Sequence, residues 1–167
     1  SRLRKIMFLK SKIDNDYKKV LKSKDKAKIS TFRLILSSIK DLEISNRSGP
    51  NKKVTDNEDI KKLLKKMIKQ RSESIEIYKK NNRQDLSEVE EGEVQVLTSY
   101  LPKQLSEEET NKVCKETIKK IGANSIKDIG KIMGELKKNY SDIIDFSKAG
   151  SILKALLNKQ WNILKNI

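Results

Sequence analysis

The sequence predicts an all-α fold. Apolar residues recur at three- and four-residue spacing along nearly the whole chain, no stretch sustains the period-two alternation of a half-buried strand, and helix-capping residues stand at regular intervals. The predicted architecture is an N-terminal bundle of long helices over residues 1–101, followed by a small three-helix domain over residues 102–167.

Leu9, Ile13, Tyr17, Val20 and Leu21 place a first amphipathic helix over about Leu9–Lys22, and the polar run KSKDKAK interrupts it. Ile29, Phe32, Ile35, Leu36, Ile39, Leu42 and Glu43 line up a second helix, which SGP at Ser48–Pro50 ends near Arg47. Thr55 with Glu58 has capping-box spacing and opens a third helix, whose apolar face is Ile60, Leu63, Leu64, Met67, Ile68, Ile75 and Tyr78. NNRQD breaks it. Leu86, Val89, Val94, Leu97, Tyr100 and Leu101 define a fourth helix, paired antiparallel with the third and stopped by Pro102, where the domain boundary falls. Ser106 with Glu109 is a second capping box, opening a fifth helix that carries Val113, Thr117, Ile118 and Ile121 and closes on Gly122. Ser125 with Asp128 is a third box and starts a sixth helix through Tyr140. Asp145 caps a seventh, with Phe146, Ala149, Ile152, Leu153, Leu156 and Leu157 on its buried face, continuing toward Trp161.

Composition narrows function. The chain has 167 residues, a formal charge of +15 and no histidine. Without histidine the usual general base, the Ser-His and Cys-His nucleophilic pairs and histidine-bearing zinc sites are excluded. The lone Cys114 lies beside Val113, Ile118 and Ile121 and reads as a small buried helix residue, not a reactive thiol. The acidic run Glu88–Glu93 reads as an outer helix face near a helix start, and no metal or cofactor is expected. No apolar run approaches the roughly 18–20 residues that span a bilayer, so no membrane partner is expected. The charge points to a polyanionic partner. Lysine supplies 32 of the 38 basic residues, however, and AT-rich coding would produce the same excess.

Three candidate nucleic-acid surfaces follow. In the third helix Lys61, Lys65 and Lys69 stack at i, i+4 spacing opposite the apolar stripe, within six basic residues and no acid from Lys61 to Arg71. After Asp145 the last 22 residues hold four lysines and no acid. The third surface is NSIKDIGKIMGELKKNY, Asn124–Tyr140. On a helical wheel Ile126, Ile129, Met133, Leu136 and Tyr140 form an apolar stripe, Gly130 and Gly134 fall on one flank, and Lys127, Lys131 and Lys138 lie just beyond them. Glycine costs a helix interior roughly 1 kcal/mol relative to alanine. Two readings are open: the bare strip admits a close second helix, such as the seventh, or it admits a phosphate backbone held by lysines at the rim. Gly130-Lys131 is not a P-loop, because Ser125 and Ile132 stand where that pattern needs Gly and Ser or Thr.

Four blocks, KSKDKAKISTFRLILSSIKDLEI, KMIKQRSESIEIYKKNNRQDL, EVQVLTSYLPKQLSEEE and IKDIGKIMGELKKNY, resemble in this order the GatB/YqeY-domain proteins, specifically the free-standing YqeY-like type, from about Ile13 to Leu157. The resemblance implies a helical N-terminal part and a small helical domain similar to the C-terminal tail of the GatB subunit of the tRNA-dependent amidotransferase. That enzyme converts mischarged Glu-tRNA(Gln) or Asp-tRNA(Asn), and its tail contacts tRNA. By resemblance, Gly130, Lys131 and Gly134 correspond to the motif-bearing helix of the tail. NYSDIIDFSKAG lacks the arginine and adjacent glycine of the commoner GRADG-like form, leaving Lys148 as its cationic representative.

The family carries a carbon-nitrogen ligase association with glutamine as amido-N-donor. No nucleophile or ATP site for that chemistry is visible here, and no catalytic residue is expected. The resulting expectation is a tRNA-binding or accessory module of aminoacyl-tRNA amidation, with tRNA and the amidotransferase subunits or a synthetase as partners. The alternative is a helical protein-protein adaptor without RNA binding. A bacterial source would imply the cytoplasm; a eukaryotic one would imply the mitochondrion or another organelle, with the basic SRLRKIMFLK as a transit-peptide remnant or the first helix's fraying end.

Overall fold

The structure, a computed structural model, describes residues 8–165, and the side chains of residues 8–158. The expectations for the first seven residues and for the Trp161 side chain lie outside that range. Among the described residues there are helices and no strands: α1 Phe8–Ser23, α2 Lys26–Ser48, α3 Asn57–Lys80, α4 Gln84–Thr98, α5 Glu107–Ile121, a 3-10 turn at Ile126–Asp128, α6 Ile129–Tyr140 and α7 Phe146–Lys165. The chain divides into two compact units between Leu101 and Pro102.

In the first unit a two-residue turn reverses α1 into α2, and a three-residue connection folds α4 back along α3. Leu9, Ile13, Phe32, Ile35, Ile39, Ile60, Leu64, Met67, Leu97, Tyr100 and Leu101 form one core. At its edge Tyr17 stacks on Phe32 at 6.3 Å, and Phe32 meets Tyr100 edge-on at 6.2 Å. The Tyr100 hydroxyl donates to Asp16 Oδ2 at 2.5 Å; burial first, and that carboxylate second, push the phenol above its ordinary range.

In the first unit the apolar stripes depart from expectation at two places. Leu21 is 41% exposed and Val89 60% exposed. Leu21 sits at the last turn of α1, near the end of the helix pair, and Val89 points off the face of α4 that carries Leu97. The third helix is also capped one residue later than expected. Asp56, not Thr55, accepts from the Asp59 amide at 2.9 Å, while Asp59 accepts from the Asp56 amide at 3.1 Å. The Thr55 hydroxyl is occupied by Asn46 Nδ2, 2.8 Å away, which ties the loop to the end of α2.

The second unit packs α5, α6 and α7 around Val113, Cys114, Ile118, Ala123, Ile132, Leu136, Ile144, Ala149, Leu153 and Leu157. Ser106 and Glu109 form the expected capping box, and Gly122 ends α5 at φ 74, the left-handed conformation that costs glycine least. Asp145 Oδ1 accepts from the Ser147 and Lys148 amides at 2.9 and 3.3 Å and so caps α7. Ser125 and Asp128 behave differently from a capping box. Ser125 Oγ accepts from Lys127 at 3.3 Å and Asp128 Oδ2 from Asn124 at 3.2 Å, bracketing the 3-10 turn, so the α-helix begins only at Ile129.

Leu136→Ala empties a fully buried position and is expected to destabilise the second unit by about 2–5 kcal/mol; Ser106→Ala, which removes one cap, by about 1 kcal/mol. Urea unfolding of the two variants beside the wild type checks both values and their order.

Candidate nucleic-acid interface

The rotation of α6 about its own axis decides which groups reach solvent. Ile132 and Leu136 are fully buried, with Ile129, Met133 and Tyr140 packed beside them, whereas Ile126 is 45% exposed. The predicted stripe therefore lacks Ile132 and wrongly includes Ile126. Ile126 lies in the 3-10 turn, which advances about 120° per residue against about 100° in an α-helix, so a wheel run as α-helix from Asn124 misplaces it; Ile132, one turn before Leu136 within α6, lies on the side that wheel already drew.

With the stripe facing inward, Gly130, Lys131, Gly134, Lys137 and Lys138 are exposed. A Cβ built on Gly130 or Gly134 meets no atom within 4 Å. This overturns the close-packing reading: no neighbouring helix of the second unit approaches the glycines, and α7 packs elsewhere on α6. The strip is open backbone, about 6 Å long from Gly130 to Gly134 at the helical rise. Lys131 and Lys138 share its exposed side of the helix, two turns apart. Lys127 is exposed in the preceding 3-10 turn, and Lys148 in the first turn of α7.

One ion pair sits at the margin of this surface. Lys120 of α5 donates to Glu135 of α6 at 2.8 Å, and Asn139 Nδ2 adds a second hydrogen bond to the same carboxylate at 3.1 Å. The Lys120 bond, then the Asn139 bond, hold the Glu135 carboxyl below its ordinary range; the Glu135 carboxylate raises Lys120. The single acid on α6 is thus engaged with α5. Lys137, which the sequence pattern did not single out, lies with its ammonium 6.0 Å from the centre of the Phe146 ring. Its i, i+3 relation to Gly134 was the available signal.

The α3 lysines are arranged differently from expectation. A row at i, i+4 drifts about 40° per step, so Lys61 and Lys65 are half-buried beside the apolar stripe and only Lys69 reaches the outer face. Lys61 pairs with Glu58 at 3.1 Å. The exposed lysines of α3 are Lys62, Lys66, Lys69, Lys79 and Lys80. The candidate residues thus fall on separate surfaces: Lys127, Gly130, Lys131, Gly134, Lys138 and Lys148 in the second unit, and Lys61, Lys65 and Lys69 in the first.

Cys114 is fully buried, and burial pushes its thiol up to about 11. Among the described residues no cluster of three His, Cys, Asp or Glu side chains could hold a metal, and no helix is long and apolar enough to cross a membrane.

Two outcomes are expected. Gly130→Ala and Gly134→Ala should each stabilise the second unit by about 0.5–1 kcal/mol, because the added methyl meets open space and alanine favours the helix; a fall in urea midpoint would show an unseen close contact. Cys114 should resist a thiol-specific disulfide reagent in the folded protein and react once in denaturant, followed by absorbance.

Residues 10–157 match the family described as Yqey-like protein. Related proteins include an uncharacterized protein of Schizosaccharomyces pombe, 41% identical over 86 residues, which are 52% of this chain and 66% of that protein. The protein named Altered inheritance of mitochondria protein 41, mitochondrial, from Lachancea thermotolerans is 39% identical over 89 residues, 53% of this chain and 46% of its own length. These two alignments therefore cover only part of the relatives' length. The protein of that name from Clavispora lusitaniae is 28% identical over 153 residues, 89% of this chain and 85% of its own. With the family match spanning nearly all the helices described above, the chain belongs to the Yqey-like protein family.

Proposed function

We propose that this chain is an RNA-binding accessory of aminoacyl-tRNA amidation, contacting tRNA through the exposed side of α6 and having no catalytic centre of its own. The observation that carries the reading is the open strip at Gly130 and Gly134, where an added Cβ meets nothing, with Lys131 and Lys138 exposed beside it. Solvent-open glycines inside a helix cost stability without serving a contact within the second unit, and bare backbone lets a phosphodiester approach within reach of flanking ammonium groups. Lys127 and Lys148 extend the positive surface. The resemblance of this segment to the tail of the amidotransferase GatB subunit supports tRNA as the RNA.

The catalytic partner is an amidotransferase or a synthetase acting on the same tRNA, because a chain without histidine lacks the general base of a Cys-His glutaminase. Relatives whose names carry the word mitochondrial favour that organelle in a eukaryotic source. A second reading, a protein adaptor, draws on Ile77 and Val89, 58% and 60% exposed on the α3–α4 pair. A protein partner retained through nuclease treatment would favour it.

Uncharged tRNA should be retarded by the protein at low salt, with affinity falling steeply as salt rises. Lys127→Glu, Lys131→Glu and Lys138→Glu combined should weaken binding by roughly tenfold or more with the circular dichroism spectrum unchanged. Equal affinity of wild type and variant would remove α6 from the interface.

A further inference from the structure

The first unit has a second group of cationic residues besides the α3 lysines. Through Leu101 the chain has 25 basic and 15 acidic residues, and the excess is concentrated: from Tyr17 to Lys40 eight basic residues stand against Asp25 alone. Six of these lie in or beside the two-residue turn between α1 and α2, Lys24 within it and Lys18, Lys19, Lys22, Lys26 and Lys28 on the adjoining helices, and all six are exposed. None makes an ion pair among the described residues.

Asp25 is one negative charge among six lysines, and its Oδ1 accepts from the Lys28 amide at 3.1 Å as the cap of α2. The first turn of α2 contains no acid, so Lys26 and Lys28 stand at the end of the helix dipole that disfavours cations. Lys24 itself has φ 59, the left-handed conformation in which a residue with a Cβ is strained and glycine or asparagine is favoured. The turn thus combines mutual repulsion, an adverse dipole and backbone strain, and a polyanion relieves the first two.

We propose that the α1–α2 turn is a second phosphate-binding surface, gripping the backbone of double-helical RNA without reading its bases. The chemistry of the patch selects that partner. Single-stranded nucleic acid is held by stacking bases on exposed rings, and the nearby aromatics, Tyr17 and Phe32, are packed against each other in the first unit's core. Lysine presents a point charge instead of the planar fork that reads guanine edges, so affinity comes from counterion release. Leu21 is the one large exposed apolar side chain at the turn, too little for insertion into a lipid surface. The proposal rests on the RNA-binding reading of α6 and adds the first unit to it.

The test is a full-chain variant with Lys18→Gln, Lys22→Gln, Lys24→Gly and Lys26→Gln, beside the triple α6 variant and the wild type, each titrated with a perfect RNA duplex of arbitrary sequence across a salt series. Circular dichroism and urea unfolding establish that the turn variant is folded. The slope of log affinity against log salt is expected to shrink by about 3.6, at roughly 0.9 for each of the four phosphate contacts removed, and by the same amount for a duplex of scrambled sequence. An unchanged slope and affinity in the turn variant, with binding lost in the α6 variant, overturns this surface and leaves the α6 reading standing. Loss in the turn variant with the α6 variant unaffected does the reverse. Vesicles of anionic phospholipid form the second arm: if the turn variant loses them while its duplex binding is intact, the turn serves a membrane and the proposal is overturned.

Discussion

Burial of Ile132 and Leu136 in the core that also holds Val113, Ile118, Leu153 and Leu157 is the interaction on which the second unit's surface depends. Each fully buried aliphatic side chain contributes about 1.5–3 kcal/mol, so two of them one turn apart hold α6 in a single rotation. Once that rotation is set, Gly130 and Gly134 have no neighbour and the lysines beside them point to water. A turn of α6 by one residue would bring the glycine strip toward the core and leave a lysine there without a partner, at a cost well above the gain from closer packing.

Charge sets the second constraint. With 37% charged residues and a surplus of lysine, the helices can offer only narrow apolar stripes, and two modest cores form instead of one large one. Several acids are used where helices meet. Lys10 pairs with Glu43 between α1 and α2 at 2.8 Å, Arg71 with Glu93 between α3 and α4 at 2.6 Å, and Lys120 with Glu135 between α5 and α6 at 2.8 Å. The first two pairs are half-buried, and the third, with Lys120 exposed, adds little stability. Other acids, such as Asp25, Asp59 and Asp145, cap helices. On the exposed side of α6 the one acid of that helix is paired with α5, and lysines make up the remaining charge.

Local signals that involve one residue and its neighbours were legible. The Ser106–Glu109 box, the left-handed Gly122 and the Asp145 cap each depend on a few consecutive residues, and the structure has them where the spacing put them. Errors arose where two signals competed. Thr55 and Asp56 both suit an N-cap, and Asn46, nine residues earlier, takes the threonine hydroxyl. Ser125 and Asp128 have box spacing, yet they close a 3-10 turn, and a wheel run as α-helix misplaces Ile126 within that turn. The lysines of α3 do not stack in a straight row, because 3.6-residue periodicity makes an i, i+4 row oblique.

By itself the sequence determined the all-helical class, most helix ends, the buried thiol at Cys114 and the family resemblance, because each is written in composition, in spacing within a few turns or in the order of motifs. Tertiary structure decided the rotation of α6, and with it that Gly130 and Gly134 face solvent and not a neighbouring helix. It also decided that the lysines about the α1–α2 turn are exposed and make no ion pair among the described residues. Both depend on which side of a helix is covered. Coverage is a property of neighbours distant in sequence, and the period of a helix's own residues narrows it without choosing it.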